Sequence, residues 1–453
     1  MIALLGRFLH RTLGRCMPDP LVLAVLLTVV VFALALLHGS QSFGQLVAAW
    51  AGDTGFAGLL RFAMQMCLVL VTGHALAETP IVARGLERLA AWPRSGRAGV
   101  LLVAAASCGT AVLHWGLGVV VGAQLARGVG QSLRARGIAV HYPLLAAAGY
   151  FGMMLWHGGC SGSALLKVTH AADLQEVLGR DLQIAPIGFD RTLGAPVNLF
   201  VTLGLMLLAP LIAMALHPLR AVDCTPPPLL VRNGDAAAPP ASDDRLPLVR
   251  WLEESRAINL VLVLLLAFWA VAFYGGGGLR SLTPDALNLT MLGLGLLLHP
   301  SPRSYIGAVE RAARGCAGIL LQFPLYGGMA GVMHSSGLDT AWASALASTG
   351  DRRLLPVFTF FASSVINLFI PSGGGHWAVQ GSVALRSGLA AGCEPGTMVL
   401  AVAYGDVTNM LQPFWALPLL AATGVRARDI VGYTAVVMLV ALPWTALGLW
   451  LLG

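Results

Sequence analysis

Residues 354 to 385 read LLPVFTFFASSVINLFIPSGGGHWAVQGSVAL, and the fold turns on this stretch. It is apolar and long enough to cross a bilayer, which takes about 20 helical residues. Yet Pro371-Ser372-Gly373-Gly374-Gly375 interrupts it near the middle. Backbone groups freed by such a break cannot face lipid, so the break must be buried in protein or line a cavity. The stretch therefore predicts a re-entrant hairpin with its tip at membrane depth. Residues 98 to 126 repeat the pattern around His114-Trp115-Gly116-Leu117-Gly118. Arg84, Arg88, Arg94 and Arg97 precede that segment, and Arg127, Arg134 and Arg136 follow it. Both of its ends are thus expected on the arginine-rich cytoplasmic side, while hairpin 354-385 enters from the opposite side.

Composition carries the same message. Of 453 residues, 57% are hydrophobic and 11% charged, a balance that a soluble domain of this length could not display. The net charge of +7 would suggest nucleic acid in a soluble protein. Here the arginines sit in short loops beside apolar runs, so the charge encodes orientation, the partner is the lipid bilayer, and no nucleic acid is expected. The seven cysteines are scattered and lack paired metal-ligand spacing. They read as small packing residues, and no cofactor or metal is implied.

Full spans are expected at 20-38, 55-77, 143-169, 192-216, 257-274, 286-301, 316-334, 396-421 and 430-452, about nine crossings in an all-α membrane protein. The first run has no small-residue cleavage site after it and reads as a retained helix. Arg7, Arg11 and Arg15 precede it, and residues 39-54 carry no basic side chain, so a cytoplasmic amino terminus is expected. The organisation follows: a first membrane repeat over 1-216, a polar cytoplasmic linker over 217-256, a connecting helix and loop over 257-285, and a second membrane repeat over 286-453.

The two repeats match at nearly constant offset. Gln65, Gln124 and Tyr150 pair with Gln322, Gln380 and Tyr404, and the two hairpins superpose at the same spacing. Five crossings separate the starts of the repeats, and an odd number inverts one copy relative to the other. Inverted-topology repeats with broken helices predict a secondary transporter.

The breaks hold the candidate chemistry. Besides the hairpin tips, with His114, Gly116 and Gly118 in one and Ser372, Gly373, Gly374 and His376 in the other, two crossing helices are interrupted. One break runs Trp156-His157-Gly158-Gly159-Cys160-Ser161-Gly162-Ser163, and the other holds Asp406, Thr408 and Asn409 before Gln412-Pro413. Glycine lets backbone approach a ligand, Ser, Thr and Asn satisfy freed amides, and helix N-termini attract anions. A single carboxylate is the expected guest, because the spans carry almost no mid-depth arginine for a second one. Asp406, the one carboxylate near mid-span, is the candidate for a coupling ion, sodium or proton, although a hydrogen bond to a facing helix would also explain it. Single histidines at membrane depth are more often satisfied core residues, but His114 and His376 stand at the two tips. Trp115, Trp156, Trp377, Phe414 and Trp415 offer apolar surface for a short alkyl tail, and each could equally be packing. A hydrolase is disfavoured: Gly159-Cys160-Ser161-Gly162-Ser163 lacks the final glycine and preceding strand of a nucleophile elbow. A channel is disfavoured because broken segments close the midplane from both sides.

Further motifs bring a family into view. Pro18-Asp19-Pro20-Leu21, Val71-Thr72-Gly73-His74-Ala75-Leu76-Ala77, Leu252-Glu253-Glu254-Ser255-Arg256, NLFIPSGGGHW at 367-377 and NMLQPFWALP at 409-418 resemble the short-chain fatty acid permease family over nearly the whole chain. The resemblance implies the fold of the ion transporter superfamily: a homodimer, each protomer with scaffold and transport parts, two opposed hairpins and elevator-like movement. It implies import of acetoacetate, butyrate or a similar acid with a cation, across a bacterial inner membrane, and Asn367 joins Asp406 as a coupling-ion residue. A dicarboxylate or aromatic-acid carrier on the same fold is the alternative. The chain departs from the family pattern at His114, where asparagine is commoner, at His157, where glycine is commoner, and in a one-residue shortening between Asp406 and Thr408.

Overall fold

Proline and serine set many of the helix starts. Ser95 caps the helix beginning at Gly96 through its side chain, and proline opens the helices at 196, 284, 302 and 395, where its missing N–H removes no helical bond. The computed structural model describes residues 20–39, 41–178, 184–227, 246–278, 282–348, 351–370, 372–411 and 415–453. The expectations for the amino-terminal arginines, Pro18-Asp19, the middle of the linker, Pro371 and Gln412-Pro413-Phe414 lie outside the described residues.

Described elements are helical, and no strand occurs among them. In the first half these are α1 (Pro20–His38), α2 (Phe43–Ala51), α3 (Leu60–Ala77), α4 (Pro80–Ala91), α5 (Gly96–Leu113), α6 (Trp115–Ala135), α7 (Tyr142–Tyr150), α8 (Ser163–Lys167), α9 (Ala171–Leu178) and α10 (Pro196–Leu216). After the linker come α11 (Pro247–Glu254), α12 (Arg256–Gly277), α13 (Pro284–Leu298), α14 (Pro302–Ala313), α15 (Ala317–Ser336), α16 (Leu338–Ala347), α17 (Leu355–Asn367), α18 (Gly373–Ala390), α19 (Pro395–Gly405), α20 (Leu417–Thr423) and α21 (Ala427–Leu452).

Six helical stretches among the described residues are long and apolar enough to cross a membrane, and α13, α17 and most of α1 are shorter apolar helices. On α12, Leu264, Phe268 and Val271 are each more than two-thirds exposed. Leaving such side chains in water forfeits about 1.5–3 kcal/mol apiece, so this face belongs against lipid. The chain is a multi-pass α-helical membrane protein.

Segments 143-169 and 396-421 are not continuous helices. The first is α7, two 3₁₀ turns (Phe151–Met154 and Trp156–Gly158) and α8; the second is α19, a 3₁₀ turn (Asp406–Leu411) and α20. The linker expected over 217-256 is ordered at its described ends. His217 is buried and its Nε2 accepts from the His141 amide at 3.2 Å, Thr225 O accepts from Tyr142 N at 2.9 Å, and residues 247 to 254 form α11.

Packing sorts the helices into two groups. In one, α15 lies against α1, α2 and α3, and α3 against α13 and α14. In the other, α5 and α6 pack on each other and on α7, α5 also packs on α10, α17 packs on α19, and α21 lies against α7 and α10. Contacts of α3 with α6 and of α15 with α18 join the groups, and the four breaks gather at this junction.

Candidate functional site

The break before α8 exists because its glycines have no room for a side chain. A Cβ on Gly159 would strike the Val112 carbonyl, and one on Gly162 the His157 carbonyl. The turn thereby docks on the first hairpin: Cys160 N donates to Val112 O at 2.8 Å, and Trp115 N donates to Ser161 Oγ at 2.9 Å. The second broken segment is tied to the other hairpin. Thr408 Oγ1 donates to Ser364 O at 3.0 Å, and Asn367 Nδ2 lies 2.9 Å from Thr408 Oγ1 and 3.0 Å from Asn409 Oδ1. Turning the Asn367 amide over instead brings its nitrogen 2.6 Å from Asp406 Oδ1.

Between these breaks lies a buried polar chain. Asp406 Oδ2 is 2.9 Å from His157 Nδ1, and Asp406 Oδ1 is 3.0 Å from His376 Nδ1. None of the three is more than 2% exposed. On the far side of His376, Nε2 meets Gln380 Oε1 at 2.7 Å, and that oxygen also accepts from Ser363 Oγ at 2.9 Å. On the far side of His157, Nε2 lies 3.5 Å from Asn409 Nδ2. The imidazole nitrogens face two different oxygens of one carboxylate rather than a common centre, and no metal-holding cluster occurs among the described residues.

Next to this chain a narrow cleft lies between the hairpin tips. Trp115 comes from the first tip and Ser372, Gly373 and Gly374 from the second, with Trp156, Ser163 and Trp415 from the broken segments and Met66, Ile319 and Phe323 from α3 and α15. Among the described residues no lysine or arginine lines it. Ser372 adopts an extended conformation and caps α18, accepting from Gly375 N at 3.4 Å, which leaves the amides of Gly373 and Gly374 without an acceptor among the described residues. The indole N–H groups of Trp115 and Trp156 are likewise buried without an acceptor. A smaller space lined by His157, Ser163, Gly373 and Asp406 adjoins it, so the cleft and the polar chain share Ser163 and Gly373.

The structure thus gathers Ser163, Ser372, Gly373 and Gly374 around the cleft, and His376, Asp406, Asn367, Thr408 and Asn409 around the polar chain. Gly116, Gly118, Gly159 and Ser161 are used in packing: a Cβ on Gly116 would meet the Leu70 carbonyl and one on Gly118 would meet Ala111 of the facing helix. His114 caps α6, its Nδ1 accepting from Leu117 N at 3.3 Å, while its Nε2 has no partner among the described residues. It stands against Gly73, where any Cβ would collide with its ring, and does not line the cleft.

Sequence reasoning left His157 out of the site and used Gln380 only as a repeat marker. The signal for His157 was its place inside a break where glycine is commoner. Lys167, the only lysine in the chain, was given no role. It is fully buried, paired with Glu176 and, at 3.6 Å, with Asp173, and its Nζ lies 4.4 Å from the centre of the Phe62 ring behind the second tip.

Broken helices meeting at a buried polar centre inside a lipid-facing bundle are the architecture of a membrane transporter. Among solved structures, the Alcanivorax borkumensis YdaH transporter shares the fold, with a TM-score of 0.58 over 96% of this chain and 97% of that one at 19% identity. Residues 1–452 match the family model described as short chain fatty acid transporter, and the chain belongs to that family. Two relatives carry the name "Putative short-chain fatty acid transporter". The Escherichia coli K12 protein is 39% identical over 97% of both chains, and the Haemophilus influenzae Rd protein is 35% identical over the full length of both.

Proposed function

We propose that the chain is a secondary active carrier that moves a short-chain fatty acid such as butyrate or acetoacetate, together with a cation, across a bacterial inner membrane. The observation that carries this reading is the surplus of donors at the cleft. Four N–H groups, on Gly373, Gly374, Trp115 and Trp156, lack acceptors among the described residues, and all four residues line the cleft with Ser372. A carboxylate at the N-terminus of α18 would accept from them and meet the positive end of the helix dipole. Its alkyl tail would lie against Met66, Ile319 and Phe323. A second carboxylate would have no cation to meet, which disfavours dicarboxylates.

The remaining parts of the reading are inverted repeats, a homodimer, a cytoplasmic amino terminus, and elevator-like movement of the hairpin group against α3 and α15. The Trp115, Trp156 and Trp415 rings, with centroids 5.3 and 5.7 Å apart along the cluster, favour an aromatic acid as the second reading. Counterflow of labelled butyrate in proteoliposomes, competed by C2 to C6 acids, phenylacetate and succinate, tests both. Monocarboxylates are expected to compete at least about tenfold better than succinate, or roughly 1.4 kcal/mol. Equal competition by succinate would overturn the single-carboxylate site.

A further inference from the structure

We propose that the coupling ion is a proton held by the His376–Asp406 pair, which Gly373 joins to the substrate cleft, and that the substrate anion binds only when this proton is in place. The inference rests on the carboxylate site described above and names its coupling partner.

Counting protons along the chain leads to it. Gln380 Oε1 only accepts, so His376 Nε2, 2.7 Å away, carries a hydrogen. The other ring nitrogen faces Asp406 Oδ1 at 3.0 Å. If Asp406 were ionised and His376 neutral, two lone pairs would oppose each other there. One further proton removes the conflict, on Nδ1 as an imidazolium or on the carboxyl as an acid, and it crosses between them by breaking one N–H bond and forming one O–H bond. Nδ1–H of a neutral His157 donates to Asp406 Oδ2 at 2.9 Å, completing the set. With its proton the triad is neutral; without it the triad carries one negative charge.

Other charges do not compensate. Among the described residues Asp406 pairs only with these two histidines. Around it, Asn367 of α17 and His376 of α18 reach the carboxylate itself, and Ser363, Ser364 and Gln380 bond to their neighbours, none of them a permanent charge. Tyr404 at the end of α19 turns its hydroxyl to Asn198, and Lys167 at the end of α8 is held by Glu176 and Asp173. A sodium ion would need several oxygens at its centre, and both oxygens of Asp406 already face imidazole nitrogens.

The link to substrate is Gly373. It belongs to the cleft and to the space around Asp406, and a Cβ built on it would lie 2.8 Å from Asp406 Oδ2. An unprotonated triad therefore puts a negative charge directly under the amides offered to the substrate, in a site from which water is largely excluded. Filling the triad with a proton removes the repulsion, so anion and proton cross together without net charge.

The test uses the full-length protein in proteoliposomes, labelled acetoacetate, a luminal pH dye, and protein-free vesicles as the baseline. Expected are acetoacetate counterflow, accumulation driven by an inward proton gradient in sodium-free buffer, and luminal acidification that follows an inward acetoacetate gradient. Counterflow accompanied by sodium-driven accumulation without proton movement would overturn the proton and leave the carboxylate site standing. Absence of counterflow for every acid tried would overturn that site and this inference with it. His376→Gln should lower the ratio of proton-driven accumulation to counterflow at least about tenfold, and an unchanged ratio would overturn the role of His376. The wild-type measurement decides the question should that variant fail to fold.

Discussion

The two hairpin tips are built by one local device and put to opposite uses. In each, an extended residue, His114 or Ser372, stands before the second arm and caps its helix with its side chain. At the first tip most freed groups are taken up by protein: Ser161 takes the Trp115 amide, His114 takes that of Leu117, and Cys160 and Gly159 close on Val112, leaving the Gly116 amide as the one helix-start N–H without an acceptor among the described residues. At the second tip three glycines follow the cap, and the amides of the first two are left for whatever enters the cleft. Helix breaks at membrane depth thus divide into those that hold protein to protein and those that remain open to a ligand. The accounting of freed donors tells them apart.

Paired glycine substitutions should break the comparison most sharply. In Gly159→Ala the new methyl meets backbone that cannot yield, so about 1–3 kcal/mol of stability is expected to go, read as a lowered thermal midpoint in detergent. Gly373→Ala places its methyl 2.8 Å from Asp406 and 3.0 Å from Trp156. Uptake in proteoliposomes should fall at least about tenfold with a smaller change in midpoint. Equal effects of both substitutions on stability and uptake would end the distinction.

Serine substitutions sharpen it with smaller effects. Ser161→Ala orphans the Trp115 amide and should cost about 1–3 kcal/mol of stability. Ser372→Ala removes a cap of about 1 kcal/mol and a polar group of the cleft, so its larger signature should be weakened half-saturation for substrate. At the first tip, His114→Asn keeps a capping side chain and removes the partnerless Nε2. It should leave uptake within about twofold and stability unchanged or slightly raised. A tenfold loss of uptake would bring the first tip into the site.

The smallest effect belongs to a carboxylate at the rim, which serves as a control for the buried one. Burial works against ionisation of Glu78, but His74 and the Arg311 guanidinium outweigh it and hold the carboxyl at about 2. Its folded value is thus depressed from 4.5, so its contribution to stability is present above about 4.5 and is lost as pH falls through about 2. Arg311 is more than half exposed, and Arg311→Gln should cost no more than about 1 kcal/mol at neutral pH. The difference from wild type should shrink in thermal scans below about pH 4, without a change in the proton dependence of transport.

The helices and their interruptions were legible in the sequence because their causes are local. Runs of apolar residues mark segments that lipid can surround, and Pro, Gly and Ser clusters mark where a helix cannot continue. Asp406 and the second tip could be singled out because a carboxylate or a glycine run at membrane depth is costly anywhere in a bundle. What each interrupted residue faces was decided only by tertiary structure. Packing brings His157 from one break to the same carboxylate as His376 from another, seats Ser161 under the first tip, and turns Gln380 from a repeat marker into the partner of His376. Hydrogen bonds act over about 3 Å and are directional. The identity of a residue far along the chain can therefore permit such a bond, but only the crossing of helices supplies the distance and angle that make it.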